Sequence, residues 1–408
     1  MKRFEEFFVR EGRFVADGVA LEEIARRHPT PFYVYSASAI RTKYRLLKDQ
    51  FPAFDICYSL KANPNPAVCR LLARAGAGAE VSSPGELATA LGAGFAPENV
   101  IYVAPAKSPA DIERALAAGI HAIVADSASE LELVESAARK LGRPARVLLR
   151  INTMERQPEA KEVMVGGPSK FGFDEERVVA EAAGLGLKQA RIAGIQVYSA
   201  SQVLDSAWLA EHIEYVIKLA QRLSREIGFT LECIDFGGGF GIPYNEHDKE
   251  LNLGLVATAT QKSLAAFRQA QPGCRLVFES GRYVVAEAGV FVTRVVRVKE
   301  SRGRTFAICD GGMNAFARPV FMHVRHPVRL LNKLGQKPTS EVDVCGPICT
   351  PLDCIAKGVR LPQPEPGDMV GLLNAGAYGY SMSLLDFMSL GRPAELLADS
   401  GELLLVSS

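Results

Sequence analysis

The chain has 408 residues, of which 48% are hydrophobic and 23% are charged. This composition indicates a large folded protein with an extended hydrophobic core, and the length favours two domains. The 47 basic and 46 acidic residues leave a formal net charge of +1. Such a balance provides no long-range field for nucleic acid or an anionic membrane, so neither is expected as a partner. The substrate is expected to be a small molecule or a small tethered group.

Targeting signals and cysteine spacing indicate the cellular compartment in which the protein is expected. Residues 1–14 carry a charge every few positions and lack the continuous apolar core of a signal peptide. No stretch reaches about 18 uncharged apolar residues, the length that a membrane helix needs. The eight cysteines are scattered and form no C-x-x-C pair. We therefore expect a cytoplasmic protein without a membrane span, a disulfide framework or a metal site.

Strand-like and helix-like segments alternate from about residue 35 to residue 285. Short β-branched or apolar runs predict eight strands, at 56–60, 79–82, 100–103, 122–125, 146–151, 192–198, 233–236 and 276–279. Helical segments lie between them, among them 83–91, 108–117, 129–141 and 206–227, and several open on a Ser or Asp suited to an N-cap. Eight such repeats predict a parallel (β/α)8 barrel, with an open doubly wound sheet as the alternative.

The pattern changes after about residue 285. Val-rich runs at 289–299 and 305–308 are bounded by turn residues, which predicts a β domain. The segment PQPEPG at 362–367 is typical of a turn-rich loop and not of a linker to a third domain. The predicted division is an α/β barrel at 36–284 and a β-barrel or sandwich domain at 285–408, which residues 1–35 join.

The residues after the first predicted strand include a candidate nucleophile. This strand ends in YSLKAN, so Lys61 directly follows an apolar run. Partial desolvation there favours the free amine that imine chemistry needs. Standing alone, the same pattern also fits a surface lysine at a strand end.

Two further strand ends carry residues suited to a phosphorylated ligand. The seventh strand ends in DFGGGFG at 235–241, and successive glycines allow backbone N–H groups to converge on a phosphate. The eighth strand ends in ESGR at 279–282. Glu279 could bond a pyridine nitrogen, and Arg282 could lie near a phosphate or a carboxylate. A flexible turn and a structural ion pair are the respective alternatives.

The β domain contains two conspicuous segments. CGPICTPLDC at 345–354 holds three cysteines, whose spacing and lack of nearby histidine disfavour zinc; buried, inert thiols are the alternative. AGAYGYSM at 375–382 is typical of a tight turn that presents a tyrosine.

Taken together, these segments resemble the fold-type III pyridoxal-phosphate decarboxylases, the group that contains ornithine, arginine and diaminopimelate decarboxylases. The resemblance runs from PFYVY at 31–35 to GAY at 376–378. It implies an alanine-racemase-like fold, pyridoxal 5'-phosphate as cofactor, and an enzyme that decarboxylates an amino acid. It also implies a homodimer with shared active sites.

The resemblance assigns roles residue by residue. Lys61 matches the Schiff-base lysine, and Cys349 matches the donor of a proton to the α-carbon, which the partner subunit lends. The remaining cofactor contacts would be Tyr198, Ser201, Gly238, Gly239, Glu279, Gly281, Arg282 and Tyr378. The substrate contacts would be Arg282, Arg318, Thr350 and Asp353.

Three positions depart from the family pattern. Tyr198 stands where a histidine usually covers the cofactor ring, and Met322 stands where a tyrosine follows the substrate arginine. Thr350 replaces the Asp or Glu that binds a distal amine, and a neutral hydroxyl cannot pair with an ammonium group. With the segment MVGGPSKFG at 164–172, these departures resemble a secondary-metabolism branch acting on glutamate tethered to an acyl carrier protein. Diaminopimelate decarboxylase, an amino-acid racemase and a non-catalytic homologue remain the alternatives.

Overall fold

The structure is a computed structural model that describes residues 6–155 and 162–407, without the side chains of residues 162 and 163. The strands of these ranges, in chain order, are β1 (Val9–Arg10), β2 (Arg13–Ala16), β3 (Val19–Ala20), β4 (Phe32–Ser36), β5 (Asp55–Ser59), β6 (Gly78–Val81), β7 (Val100–Val103), β8 (Ala122–Ala125), β9 (Ala145–Asn152), β10 (Glu162–Val163), β11 (Phe173–Asp174), β12 (Ala190–Gln196), β13 (Ala200–Ser201), β14 (Cys233–Asp235), β15 (Arg275–Ser280), β16 (Gly289–Ser301), β17 (Arg304–Cys309), β18 (Val328–Leu330), β19 (Ser340–Cys345), β20 (Cys354–Leu361), β21 (Met369–Leu372), β22 (Ala394–Asp399) and β23 (Glu402–Ser407).

The α helices of the same ranges are α1 (Leu21–Arg27), α2 (Ala37–Gln50), α3 (Pro66–Arg74), α4 (Pro84–Ala93), α5 (Pro109–Ala118), α6 (Ala128–Leu141), α7 (Val178–Ala182), α8 (Ser206–Ile227), α9 (Leu253–Ala270), α10 (Arg282–Val285) and α11 (Arg318–Phe321). Short 3-10 turns lie at Leu60–Ala62, Pro97–Asn99, Ala286–Ala288, Tyr380–Met382 and Phe387–Ser389. Within the described ranges, no helix combines the length and the apolar character needed to cross a membrane.

The chain divides into two compact units. The barrel unit comprises Tyr44–Ile242 and Lys249–Gly281, and the sheet unit comprises Met1–Lys43, Pro243–Asp248 and Arg282–Ser408. The sheet unit also includes residues 36–43, Pro243–Asp248 and residues 282–284, which lie within the predicted barrel range of 36–284. The predicted boundaries themselves stay a prediction.

Eight parallel strands close a barrel in the order β9-β12-β14-β15-β5-β6-β7-β8, and β8 pairs with β9. This closure confirms the predicted barrel and excludes the open sheet. Each predicted strand matches one of the eight within two residues at either end. Strands such as β7 are buried along their whole length, which explains why their sequences are continuous apolar runs.

Helix starts in the barrel unit follow the predicted capping pattern. Ser83 and Ser108 accept backbone N–H groups at the starts of α4 and α5, and Asp205 does the same for α8. Helix α6 begins one residue before its predicted start, because Ser127 is its N-cap. Such caps satisfy donors that would otherwise be unpaired and fix where each helix begins.

The sheet unit is mostly antiparallel, with the path β20-β19-β17-β16-β4-β22-β23 and β21 joining β16. Strand β4 lies between β16 and β22, so an N-terminal strand forms part of this sheet. Strands β1, β2 and β3 instead form a small sheet of their own. The buried core of the sheet unit combines N-terminal and C-terminal side chains, among them Phe14, Ile24, Val34, Val290, Leu373 and Leu396.

Candidate active site

Lys61 lies just beyond the carboxyl end of barrel strand β5. The strand ends at Ser59, and the 3-10 turn Leu60–Ala62 carries the lysine. Its Nζ is 2.9 Å from Oε2 of Glu80 and 5.5 Å from the centre of the Tyr198 ring. The lysine side chain is 36% exposed, whereas that of Glu80 is fully buried. The amine is therefore held in place but remains accessible.

Glu80 is the anion that holds this amine. It also accepts hydrogen bonds from the hydroxyl groups of Ser59 and Ser82. Burial acts to raise the pKa of Glu80, but the charge of Lys61 and these hydrogen bonds outweigh it, so the net pKa is lowered. Glu80 is therefore ionised.

Glu279 and Asp235 form a second buried acidic pair at the ends of β15 and β14. Burial raises the pKa of Glu279 well above its usual value, and the charges of Asp235 and Glu80 raise it further. Burial likewise raises the pKa of Asp235 to about 7. Glu279 also accepts a 3.3 Å hydrogen bond from Nε2 of Gln196. A buried carboxyl of this kind ionises readily only when a cation is placed beside it.

The glycine turn after β14 packs too closely for any side chain. A Cβ at Gly238 would lie 1.9 Å from the Glu279 carbonyl oxygen, and one at Gly239 would lie 2.4 Å from the Ala200 carbonyl oxygen. Gly239 also has φ +92°. The turn therefore lies directly against the segment that contains Ser201, which is 7% exposed.

Gly281 and Tyr198 complete this group in the barrel unit. A Cβ at Gly281 would be 2.7 Å from the Ala62 Cβ, so this glycine packs beside the lysine turn. The Tyr198 ring lies against the glycine turn, since a Cβ at Gly238 would be 3.7 Å from its Cε2. The barrel unit thus brings together six predicted residues: Lys61, Tyr198, Gly238, Gly239, Glu279 and Gly281.

This arrangement fits pyridoxal 5'-phosphate. The accessible amine of Lys61 can react with an aldehyde. Glu279 can bind a protonated ring nitrogen, because a carboxyl group buried in this way ionises readily only beside a cation. Tyr198 offers a ring face beside the amine. The glycine turn and Ser201 offer the small groups that a phosphate requires.

Three predicted residues come together in the sheet unit, around a tyrosine that the sequence did not single out. Arg282 donates to the Tyr244 hydroxyl at 3.3 Å, and its guanidinium lies 4.9 Å from the Tyr378 ring centre. The Arg318 guanidinium lies 4.7 Å from the Tyr244 ring centre. Both arginines are buried, at 8% and 4% exposure. Tyr378 has φ +57°, a conformation that non-glycine residues adopt at a cost.

The remaining predicted residues lie on the loop between β19 and β20. The Cys349 side chain is exposed, and its sulfur is 3.7 Å from Sδ of Met388. Asp353 is 4% exposed, and its carboxylate accepts the backbone N–H groups of Met313 and Ile348 at 2.6 and 2.7 Å. Asp353 therefore holds the loop together, and the substrate contact predicted for it stays a prediction. Thr350 lies on the same loop, half-buried.

Several residues of these two groups were not predicted as site residues from the sequence. They share a polar character and burial at 5% exposure or less: Glu80, Gln196, Asp235, Tyr244 and His326. The available signal was a polar residue inside an otherwise apolar strand, as for Glu80 in GAEV and Gln196 in IAGIQ. Such residues are rarely buried without a specific partner.

A family comparison decides what this site is. The model for the pyridoxal-binding domain of the pyridoxal-dependent decarboxylases matches residues 37–286, more than half of the chain. The chain belongs to this family. The decarboxylase is accordingly a pyridoxal-phosphate-dependent carboxy-lyase, as the sequence predicted.

Named relatives and solved structures agree with the assignment. The decarboxylase is 36% identical to the L-glutamyl-(BtrI acyl-carrier protein) decarboxylase of Niallia circulans, over 94% of this chain and 92% of that one. It is 33% identical to the diaminopimelate decarboxylase of Aquifex aeolicus, over 97% and 93%. The crystal structure of Helicobacter pylori diaminopimelate decarboxylase (I148L mutant) with L-lysine superposes with a TM-score of 0.86 at 31% identity, covering 95% and 96%.

Proposed function

We propose that the decarboxylase removes the α-carboxyl group of an amino acid whose side chain ends in an acyl group joined to a carrier protein. A glutamyl group is the favoured example. The observation that carries this proposal is the chemistry of the loop between β19 and β20. In this loop the residue next to Cys349 is Thr350, which carries a neutral hydroxyl group. The one acid of the loop, Asp353, accepts hydrogen bonds from two backbone N–H groups.

A second acid, Asp386, lies two residues before Met388, whose sulfur contacts Cys349, and it is also engaged. Asp386 pairs with Arg392 through three contacts of 2.9, 3.0 and 3.1 Å and is exposed to solvent. A buried ammonium group without an anionic partner costs a few kcal/mol. Free ornithine and lysine, which end in an ammonium group, are therefore disfavoured relative to a neutral acyl end.

Chemistry then places the carrier at the side chain. Loss of carbon dioxide from the α-carbon requires a free α-amine and a free α-carboxylate. A glutamyl group that is decarboxylated in this way must therefore be joined through its side-chain carboxyl. The name of the Niallia circulans relative, a glutamyl-carrier-protein decarboxylase, supports this reading.

The barrel residues would hold the cofactor and orient it. Lys61 would bind its aldehyde carbon, Glu279 would hold a proton at its ring nitrogen, and Tyr198 would cover one face of its ring. The glycine turn, Gly281 and Ser201 would surround its phosphate. When bound, pyridoxal phosphate supplies the electron sink for the bond that breaks at the α-carbon.

Cys349 would return a proton to the α-carbon after carbon dioxide leaves. Its exposure on a loop agrees with a group that serves the site of a partner subunit. The proposed working form is a homodimer with shared active sites. A cytoplasmic location also stays part of the proposal.

Diaminopimelate decarboxylase is the second candidate. The observation that favours it is the buried pair Arg282 and Arg318 beside Tyr244, since guanidinium groups suit a distal carboxylate. The 33% identity to the Aquifex aeolicus enzyme points the same way.

Carbon dioxide release from a substrate panel tests the choice. The panel contains glutamyl-carrier protein, free glutamate, diaminopimelate, ornithine, lysine and arginine. We expect the carrier-linked glutamyl group to have the highest kcat/KM. A higher kcat/KM on free diaminopimelate would establish the second candidate in its place.

A further inference from the structure

A histidine in the sheet unit holds the predicted substrate arginine. Nη1 of Arg318 lies 2.8 Å from Nε2 of His326, and Nδ1 of His326 lies 2.9 Å from the carbonyl oxygen of Leu373. His326 is 5% exposed and Arg318 is 4% exposed. The three groups form a continuous hydrogen-bonded chain.

The chemistry of the two outer groups determines the state of the histidine. A carbonyl oxygen only accepts, so Nδ1 of His326 must carry a hydrogen and donate to Leu373. A guanidinium only donates, so Nε2 must be the unprotonated acceptor for Arg318. Only the neutral imidazole with its hydrogen on Nδ1 satisfies both partners.

Burial agrees with that state. It lowers the pKa of His326 well below its usual value, and the charges of Arg318 and Arg282 lower it further. A neutral acceptor orients Arg318 without cancelling its charge. A carboxylate in the same place would have paired with the guanidinium and weakened its attraction for a second anion.

Aromatic rings restrict the remaining freedom of this pair. The His326 ring meets the Tyr244 ring edge-on at 4.9 Å and the Phe316 ring at 4.8 Å. The Arg318 guanidinium lies over the Tyr244 ring, whose hydroxyl accepts from Arg282. The guanidinium is thus held in position by His326 and the Tyr244 ring.

We propose that His326 is a positioning residue, which orients Arg318 toward the carboxyl oxygen at the end of the substrate side chain. The oxygen belongs either to a free carboxylate or to the carbonyl of a carrier-linked acyl group. The proposal rests on the proposed function in one respect, the contact between Arg318 and the substrate. His326 itself does not touch the substrate.

Two substitutions separate orientation from packing. His326→Phe keeps a ring against Tyr244 and Phe316 but removes the acceptor for Arg318. We expect KM to rise roughly tenfold to a hundredfold, the range that one buried hydrogen bond to a charged group corresponds to. We expect kcat to change by less than about threefold, because binding and not the chemical step loses the contact. His326→Gln retains a donor and an acceptor on one side chain and should restore KM.

A matched control and a fallback keep the test decisive. His121→Phe removes a part-buried imidazole in the barrel unit and should leave KM unchanged. If His326→Phe does not fold, His326→Asn takes its place. Its short amide can still donate to Leu373 but cannot reach Arg318, so KM should rise while the melting temperature is retained.

A double-mutant cycle identifies the route of the effect. If His326 acts through Arg318, then adding His326→Phe to Arg318→Met should raise KM no further than Arg318→Met alone. Additive effects, or a wild-type KM for His326→Phe, would overturn the proposal.

The assay also separates this proposal from the choice of substrate. The cycle is run on both glutamyl-carrier protein and diaminopimelate. If diaminopimelate is the better substrate, the proposed function fails, yet a non-additive cycle on diaminopimelate still supports the role of His326. Additive behaviour on the better substrate would remove that role, whichever substrate it is.

Discussion

The amine of Lys61 lies 2.9 Å from the fully buried carboxylate of Glu80, which joins the ends of two neighbouring barrel strands. An ionised carboxylate in this position holds the amine at one place before an aldehyde arrives.

The first prediction concerns where the cofactor is attached. The loaded protein should be yellow, and borohydride should fix the cofactor on Lys61, because that amine is accessible at the carboxyl end of the barrel. Peptide mass spectrometry identifies the modified lysine. Lys107 is the matched control, since its side chain is fully buried and pairs with Glu130 at 2.8 Å. Label on any lysine other than Lys61 would contradict the assignment.

The glycine turn gives a second prediction. Gly238→Ala should lower the melting temperature and weaken cofactor binding, because its Cβ would lie 1.9 Å from the Glu279 carbonyl oxygen. Gly92→Ala in helix α4 is the control, since its Cβ would meet nothing within 4 Å. That change should be neutral or stabilise by up to about 1 kcal/mol. Equal thermal unfolding of the two variants would count against the close packing.

A third prediction follows from the pKa of Asp235, which burial raises to about 7. The folded protein therefore holds this proton more tightly than the unfolded chain does. The stabilising contribution is complete below the ordinary pKa, near 4, and is lost as the pH rises through about 7. The melting temperature of the cofactor-free protein should therefore fall between about pH 4 and pH 7 and level off above that range.

Asp235→Asn tests that linkage, because the amide imitates the protonated carboxyl at every pH. The decline in melting temperature should become shallower in this variant. Glu279→Gln should act in the same direction, since burial also raises the pKa of Glu279. An unchanged slope in both variants would show that these carboxyls are ionised in the folded, cofactor-free protein.

The fourth prediction concerns the shared active site. Lys61→Ala and Cys349→Ala should each abolish decarboxylation, and mixing the two should restore part of it. A mixed dimer would contain one site with both wild-type residues. Subunit exchange is verified separately by native mass spectrometry of tagged chains. Exchange without recovered activity would mean that both residues serve the site of their own subunit.

The fifth prediction concerns Thr350. Thr350→Asp should improve kcat/KM on ornithine or lysine and harm the native reaction, because it adds an anion for a distal ammonium group. An effect of 3 kcal/mol corresponds to roughly a hundredfold change in catalytic efficiency. Thr350→Asn is the control, since it adds a polar group without charge. Equal effects of both variants would remove the electrostatic explanation.

Much of the architecture was predictable because it depends on local pattern. Continuous apolar runs located the eight barrel strands, since strands buried on both faces tolerate few polar residues. Ser and Asp positions located helix starts within about one residue, because the cap bonds lie within one turn. The small sheet of β1, β2 and β3 was not predicted, since its strands are only two to four residues long.

The site residues divide in the same way. Lys61, Glu279 and the glycine turn stand at strand ends and could be recognised there. The hydrogen bond that the Asp353 carboxylate accepts from the backbone N–H of Met313, 40 positions away, could not be predicted. A hydrogen bond between residues so far apart in the sequence depends on the tertiary fold, and no local sequence pattern indicates it.

The sequence by itself determined the order of the strands, the lysine at the end of the first one and the resemblance to the decarboxylases. The tertiary structure alone decided that Glu80 holds Lys61, that Asp235 lies beside Glu279 and that His326 orients Arg318. The reason is physical. Apolar periodicity arises from neighbouring residues, whereas a buried charge is stabilised by whichever polar groups the fold brings within hydrogen-bonding distance.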